Sequence, residues 1–352
     1  MFNITYLDVL NAYLVCRKRK RKTQGQLEFE INLEENLYNL WQELRNMTYK
    51  VGKSDCFCVR YPKIREIFAA RFRDRIVHHL IMNKFLPVFE NIFIDSTYSC
   101  RKGKGVWYGV KDIEKQVKQI GPKCWYVKLD ISGFFMSIQK NILWEKLKPI
   151  FPSDWWWLIR EIVFNRCQDG CEKKGNLKLW SLLPAHRSLL NIKEDFGIPI
   201  GNLTSQIFAN FYLTDFDKYI KSKIQGYGRY VDDIILLDSD KRKLKKLIVE
   251  IRKYLSTLNL KLNERKTIIQ KTTKGILFTG YIIKPHGIYC GPRLYKCIEK
   301  IKGPKEKYFR RVNSYLGFLK RPLEFSLRYR ITNLAFRTHN FKTVKNNYKI
   351  KY

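Results

Sequence analysis

The sequence contains no long apolar run. No stretch approaches the roughly 20 consecutive apolar residues that a membrane-spanning helix requires. Residues 1–5 also lack the basic-then-apolar pattern that opens a secretory signal peptide. These two absences argue against a membrane-embedded or secreted protein, and they predict a cytoplasmic location.

Acidic residues are scarce relative to basic ones. The 352-residue chain has 32 Asp and Glu against 68 Lys and Arg, which gives a formal net charge of +36. A charge of this size indicates a polyanionic partner, most commonly nucleic acid. A membrane surface is the competing partner, but the basic residues are spread along the chain rather than set beside an apolar segment. One basic run, residues 17–22, is either a nucleic-acid arm or a solvated segment.

Paired cysteines are lacking as well. The nine cysteines are odd in number and irregular in spacing, which argues against a disulfide framework. The close pairs are Cys56 with Cys58 and Cys167 with Cys171, and neither has the spacing of a zinc site. His78 and His79 fall in a helical pattern, where packing and polar contacts explain them better than metal ligation does.

Two adjacent acids, Asp232 and Asp233, lie within an otherwise apolar run. Tyr230 and Val231 precede them, and residues 234–237 are Ile-Ile-Leu-Leu. Buried charges require paired partners or metal ions, and the flanking residues favour β-strand. The sequence therefore predicts a hairpin with both carboxylates at its tip. Such a tip is either a divalent-metal site for nucleotidyl transfer or a polar turn between buried strands.

The remaining periodicity predicts a mixed α+β fold. A strand at 125–131 carries Asp130, and a second hairpin is expected around 274–284. Helical patterns cover residues 33–44, 65–93, 155–164 and 240–257, a loop enters a helix within 197–219, and the basic segment 285–352 looks helical. This order predicts a sheet with helices on one face. Such a sheet could bring Asp130 beside Asp232 and Asp233.

Taken in order along the chain, these motifs resemble a reverse transcriptase from about residue 25 to residue 340. The resemblance implies a right-hand polymerase fold with fingers, a palm of antiparallel sheet and helices, and a helical thumb. The implied limits are a basic N-terminal extension with a helix at 1–60, fingers at 61–121, a palm at 122–283 with a fingers insertion at about 150–195, and a thumb at 284–352. No RNase H or nuclease domain is expected after the thumb.

The resemblance also implies a catalytic centre. Asp130 matches the acid of the first palm motif, and Tyr230-Val231-Asp232-Asp233 matches the Tyr-x-Asp-Asp box. The implied metal-binding set is Asp130, Ile131, Asp232 and Asp233, holding two magnesium ions. Lys266 matches a later palm lysine, and the resemblance implies that it protonates pyrophosphate, although a plain surface lysine is the alternative.

Further positions are implied to bind nucleotide and primer. Lys63 and Arg65 would grip the triphosphate, and Arg101 would touch template or nucleotide. Phe135 would block a ribose 2′-hydroxyl and so select deoxynucleoside triphosphates, unless it is a core residue beside Phe134. The stretch Phe278-Thr279-Gly280-Tyr281 resembles the hairpin that holds the primer end, and a structural hairpin with core aromatics is the alternative.

One departure from the common pattern narrows the resemblance. Most relatives carry Gln-Gly-x-x-x-Ser-Pro in the nucleotide-pocket loop, whereas this chain has Ile200-Gly201-Asn202-Leu203-Thr204-Ser205-Gln206. This variant resembles the reverse transcriptases of diversity-generating retroelements, and it implicates Ile200, Gly201 and Gln206 in nucleotide binding. Residues 33–37, 72–75 and 103–105 resemble the same group.

That group copies a template-repeat RNA with frequent errors at adenines, and the cDNA replaces a variable repeat in a target gene. The implied partners are template RNA, nascent cDNA, deoxynucleoside triphosphates and a small, basic, oligomeric accessory protein. A retron-type enzyme, a group II intron-like enzyme and an inactive RNA-binding relative are the alternatives. The presence of all three acids favours an active enzyme.

Overall fold

The structure is a computed structural model that describes residues 2–18, 23–60, 63–185, 188–293, 296, 305–319, 342–343 and 350–351. Its helices are α1 (Tyr6–Arg17), α2 (Gln24–Ile31), α3 (Leu33–Arg45), α4 (Phe72–Ile92), α5 (Val106–Ile120), α6 (Phe134–Ser137), α7 (Lys140–Leu147), α8 (Trp156–Phe164), α9 (Leu203–Tyr212), α10 (Thr214–Lys221), α11 (Lys241–Thr257) and α12 (Lys305–Leu319). Its strands are β1 (Asp55–Val59), β2 (Arg65–Ala69), β3 (Trp125–Asp130), β4 (Glu172–Lys174), β5 (Gly226–Tyr230), β6 (Asp233–Asp238), β7 (Ile268–Lys271), β8 (Ile276–Phe278), β9 (Tyr281–Lys284), β10 (Gly287–Cys290), β11 (Lys342–Thr343) and β12 (Ile350–Lys351).

The chain forms two compact units, each assembled from separate segments. The first unit comprises Met1–Asp95, Ile131–Tyr219 and Glu250–Asn263, and the second comprises Ser96–Asp130, Ile220–Val249 and Glu264–Tyr352. The limits expected for fingers, palm and thumb stay a prediction. Residues 19–22 of the basic run and much of the expected thumb lie outside the described residues.

The second unit is organised around a four-stranded sheet with the order β5-β6-β3-β7. All neighbouring strands in it are antiparallel. Residues 234–237 of β6 are fully buried, and Ile235 and Leu237 share one apolar cluster with Val110, Ile113 and Val117 of α5. Both faces of β6 are therefore covered, which explains why its apolar run is continuous rather than alternating.

The first unit contains the long helix α4, which packs against α1 and α9. Aromatic edge-to-face contacts fill this region, as between Phe89 and Phe211 at 5.3 Å. Trp155 is buried, whereas Trp156 is exposed, so only part of the Trp155–Trp157 run serves the core. The unit also holds a three-stranded sheet with the order β2-β1-β4.

Two expectations about secondary structure are corrected. Residues 287–290, expected within a helical segment, form strand β10, which pairs with β9. Residues 65–69 form strand β2 rather than the start of a helix, because β2 pairs with β1 along its full length. Helix α5 was not expected, although Val110, Ile113 and Val117 have helical spacing and form its buried face. The predicted strand at 125–131 and the hairpin around 274–284 are confirmed. In the part of the chain that the structure describes, no helix combines the length and apolarity needed to cross a membrane.

Candidate active site

The strand register brings the predicted acids together at one edge of the second unit's sheet. Asp130, the last residue of β3, lies directly opposite Asp233, the first residue of β6. Asp233 also pairs with Tyr230, so the hairpin turn consists of Val231 and Asp232 alone. The hairpin predicted from the sequence, with its carboxylates at the tip, is confirmed.

The turn that carries Asp232 is strained. Val231 has a φ of 58°, in the left-handed region that a β-branched residue rarely adopts. A positive φ at the first turn position is the type II′ pattern, which favours glycine there. The buried Arg229 side chain donates to the Val231 carbonyl oxygen at 3.0 Å and so holds this conformation. Strain of this kind costs roughly 1–3 kcal/mol and concentrates at functional sites.

Two lysines contact the acids. The Lys266 ammonium donates to both carboxylate oxygens of Asp130 at 2.5 Å. The Lys128 ammonium lies 3.0 Å from Oδ1 of Asp233 and donates to its Oδ2 at 3.1 Å. Burial raises the pKa of the Asp233 carboxyl, and the charge of Lys128 opposes that rise. Lys266 had been predicted as a functional residue, whereas Lys128 had not.

The donor chemistry of the three carboxylates fits magnesium, which prefers hard oxygen ligands. Within the described ranges, however, no three acidic, histidine or cysteine side chains are already grouped to hold a metal ion. Ile131, the fourth member of the predicted set, is buried and bridges to Leu262 in the first unit. Asp130 and Asp233 are neighbours in the strand register, and each has a lysine in contact with its carboxylate.

The expected primer hairpin is formed by β8 and β9 in the second unit. Its two-residue turn is Thr279-Gly280, and both residues have positive φ, at 47° and 93°. Phe278 and Tyr281 are buried in the apolar cluster that includes Tyr98. These two rings are therefore core aromatics, as the alternative of a structural hairpin predicts. The Lys128 ammonium, which contacts Asp233, also donates to the Leu277 carbonyl oxygen at 2.6 Å and so ties β8 to the acid cluster.

Other predicted nucleotide-binding residues lie in different places. Lys63 and Arg65 are exposed at the start of β2 in the first unit. Phe135 is half-buried there, whereas its neighbour Phe134 is buried, so Phe134 takes the core position. Arg101 belongs to the second unit, where its side chain donates to the carbonyl and hydroxyl oxygens of Thr97.

The loop from Ile200 to Gln206 is fixed to β2 within the first unit. The Ile200 carbonyl accepts from the Phe68 N–H at 3.0 Å, and the Asn202 side chain accepts from the Ala70 N–H at 3.0 Å. Gly201 has a φ of 137°, and a Cβ there would lie 2.9 Å from the Phe68 carbonyl oxygen. Asn202 is an anchor that the sequence did not reveal, because its partner lies 132 positions away.

Ile200 itself packs against an apolar cluster. It is half-buried beside a group that includes Phe68, Met136 and Leu189. Gln206 is half-buried on α9. The loop therefore presents an aliphatic side chain where the common pattern of the family has an amide.

A buried histidine contacts the first turn of α9, which follows this loop. Nδ1 of His78 lies 2.9 Å from the Thr204 hydroxyl, and burial lowers the pKa of His78 to about 3. Between pH 6.5 and about 3, the unfolded chain binds a proton at this residue that the folded chain does not, so stability falls as the pH falls. We expect His78 to cost about 2 kcal/mol in unfolding free energy between pH 7 and pH 5.

Urea unfolding of the wild type and of His78→Gln at both pH values measures this cost as the change in their stability difference. His79→Gln, a matched change at the half-buried neighbour, should leave the pH dependence of the wild type in place. An equal pH dependence in wild type and His78→Gln would contradict the assignment.

Comparison with known proteins agrees with this architecture. Residues 51–283 match the family model of the reverse transcriptase (RNA-dependent DNA polymerase). Protein YkfC of Escherichia coli (strain K12) is 22% identical over 330 residues, which cover 82% of this chain and 79% of YkfC. Group II intron-encoded protein LtrA of Lactococcus lactis subsp. cremoris is 23% identical over 227 residues, covering 62% of this chain and 33% of LtrA.

Solved structures support the fold alone. Apo telomerase from Candida Tropicalis matches with a TM-score of 0.50 and 13% identity, over 76% of this chain and 52% of that one. Telomerase from the same organism in complex with a TWJ fragment of telomeric RNA matches with a TM-score of 0.50 and 12% identity, over 85% of this chain and 57% of that one. This chain thus spans about half the length of these telomerase chains, and the likeness is consistent with a right-hand polymerase fold.

Proposed function

This chain belongs to the reverse transcriptase family, and we propose that it copies a template-repeat RNA into error-prone cDNA for a diversity-generating retroelement. The observation that carries the proposal is the loop Ile200–Gln206, where isoleucine and glutamine replace the glutamine and proline of the common pattern. The loop is held against β2 by two hydrogen bonds, so its side chains have defined positions. Template RNA, deoxynucleoside triphosphates and a small basic accessory protein are the proposed partners.

The acid cluster supports nucleotidyl transfer as the chemistry. Asp130 and Asp232 are the residues that would hold magnesium, which when bound stabilises the charge of the reacting phosphates. The Lys266 side chain contacts Asp130, and we propose it as the general acid for the leaving pyrophosphate. Phe135, half-exposed beside the buried Phe134, is the proposed selector of deoxynucleotides.

Primer extension tests the proposed activity. The full chain is incubated with an RNA template, a DNA primer, magnesium and labelled deoxynucleotides. Extension is expected, and retained RNA binding without any extension would favour an inactive RNA-binding relative instead. Similarity to LtrA favours a second candidate, a group II intron-like enzyme. Sequencing the cDNA separates the two, because errors concentrated at template adenines are expected only of the retroelement enzyme.

Ile200 is the proposed cause of low fidelity. A glutamine at this position can hydrogen-bond the incoming nucleotide and fix its geometry, whereas isoleucine cannot, so a wrong base loses less binding energy relative to the right one. We expect Ile200→Gln to lower the adenine error frequency by about 10-fold, the size of effect that one pocket contact supplies. Sequencing of cDNA made from one RNA template measures the change.

The control is Ile200→Val, which keeps an aliphatic side chain against Phe68 and Met136. It should retain the error frequency of the wild type. An adenine error frequency that is the same in Ile200→Gln and wild type would remove the support for this role.

A further inference from the structure

One ammonium group joins the two main sheets of the second unit. Lys128 lies on β3 in the four-stranded sheet, and its side chain is only 16% exposed. It contacts the Asp233 carboxylate and donates to the Leu277 carbonyl oxygen at 2.6 Å. Leu277 is the middle residue of β8, in the separate sheet with the order β10-β9-β8. Lys128 therefore links the strand that ends in Asp130 to the hairpin that resembles the primer-holding element.

Asp233 holds Lys128 in place for this contact. Its Oδ1 lies 3.0 Å from the Lys128 ammonium, and its Oδ2 accepts from that ammonium at 3.1 Å. Asp233 thus acts on the β8–β9 hairpin through Lys128, whose ammonium donates to the Leu277 carbonyl oxygen. Because the three groups come from three different chain segments, the contacts fix the position of the hairpin relative to the acids.

The hairpin tip needs such support. Thr279 has a φ of 47°, which is unfavourable for a β-branched residue, and such a conformation persists only where its surroundings impose it. Removing one member of a largely buried ion pair leaves the other charge unpaired and is strongly unfavourable. A neutral residue at position 128 would therefore release both the Leu277 carbonyl and the Asp233 carboxylate.

We propose that Lys128 is a positioning residue that, with Asp233, holds the β8–β9 hairpin in line with Asp130 and Asp232 and so aligns the primer end. The expected effect on activity rests on the proposed polymerase function. The anchoring of the β8–β9 hairpin by Lys128 does not depend on that function. It assigns Asp233 an anchoring role toward the hairpin, beyond the charge that it contributes beside Asp130.

The test compares Lys128→Met with Lys274→Met, the same change at an exposed lysine two residues before β8. In Lys128→Met we expect kcat for primer extension to fall on the order of 100-fold, as for a misplacement of about 1 Å. The KM for deoxynucleotide should stay within about 3-fold, because the proposed triphosphate grip, Lys63 and Arg65, belongs to the first unit. Lys274→Met should match the wild type, and Lys128→Arg should restore part of the rate because it retains a cation.

Hydrogen–deuterium exchange gives a readout that does not require activity. Exchange in residues 276–284 should quicken in Lys128→Met and in Asp233→Asn, but not in Lys274→Met. Exchange in residues 276–284 should be no faster in the double variant of Lys128 and Asp233 than in Lys128→Met alone, since the two residues act as one unit toward the hairpin. If Lys128→Met fails to fold, Asp233→Asn, which keeps the size of the side chain, provides the same comparison of exchange.

Unchanged exchange and unchanged kcat in Lys128→Met would overturn the proposal. A different outcome is that the wild type extends no primer while hairpin exchange is still faster in Lys128→Met than in the wild type. That pair of results would refute the polymerase function and leave the anchoring role intact. The two failures are thereby distinguishable.

Discussion

Replacing Asp130 by asparagine should lower the rate of primer extension by at least about 10³-fold, equivalent to roughly 4 kcal/mol of transition-state stabilisation. The change removes one negative charge while keeping the size of the side chain at the end of β3. Asp130 is opposite Asp233 in the strand register, and its carboxylate accepts from the Lys266 ammonium. Loss of its charge should therefore disable the proposed metal-binding pair without disturbing the sheet. Single-turnover extension on a preformed RNA–primer complex measures the rate.

Two comparisons make this result specific. Asp154→Asn, the same change at an exposed acid in the first unit, should stay within about 2-fold of the wild type. Lys266→Met removes the partner of Asp130 but leaves the carboxylate, so it should slow extension less than Asp130→Asn, by the 10²-fold typical of a general acid. RNA binding should be retained in all three variants. Near-normal extension by Asp130→Asn would show that the acid cluster is a polar turn and not a catalytic centre.

Replacing Gly201 by alanine should cost about 3 kcal/mol of unfolding free energy and abolish efficient nucleotide incorporation. At a φ of 137° a side chain is strained, and the new Cβ would lie 2.9 Å from the Phe68 carbonyl oxygen and 3.0 Å from the Ile67 side chain. Relief requires the loop to move away from β2, which would break the bond between the Phe68 N–H and the Ile200 carbonyl. Urea unfolding and steady-state extension measure the two effects.

Gly121→Ala separates the cost of a positive φ from the cost of a close contact with the new Cβ. Gly121 also has positive φ, at 86°, but an added Cβ would meet nothing within 4 Å. It should cost only the conformational penalty, about 1–2 kcal/mol, with extension unchanged. If Gly201→Ala were no more destabilising than Gly121→Ala, the close packing of the loop on β2 would be refuted.

The parts of the fold that the sequence predicts are those with local signals. Val231 and residues 234–237 identify a hairpin because β-branched and aliphatic residues flank two acids, and the hairpin is found with that turn. The approach of Asp130 to Asp233 follows once both lie at ends of paired strands. Strand β2 was mistaken for helix because its apolar residues continue into α4, and only pairing with β1 distinguishes it.

The missed functional residues share one property, which is that their partners are distant in the sequence. Lys128 is one lysine among many, and its significance appears only when Asp233 and Leu277 are placed beside it. Asn202 is likewise an ordinary loop residue until its bond to the Ala70 N–H is known. Lys266 is predicted from the sequence because it matches a palm motif of the family. Lys128 and Asn202 match no such motif.

The lysines on Asp130 and Asp233 have a consequence for the stability of the strand pairing that brings these acids together. Carboxylates brought side by side repel each other, and an opposite charge nearby favours their charged form. Here the compensating charges are covalently part of the chain, since Lys266 and Lys128 accompany the acids. The repulsion between these two carboxylates is therefore offset by charges of the chain itself, and we expect β3 and β6 to keep their register in the absence of divalent ions.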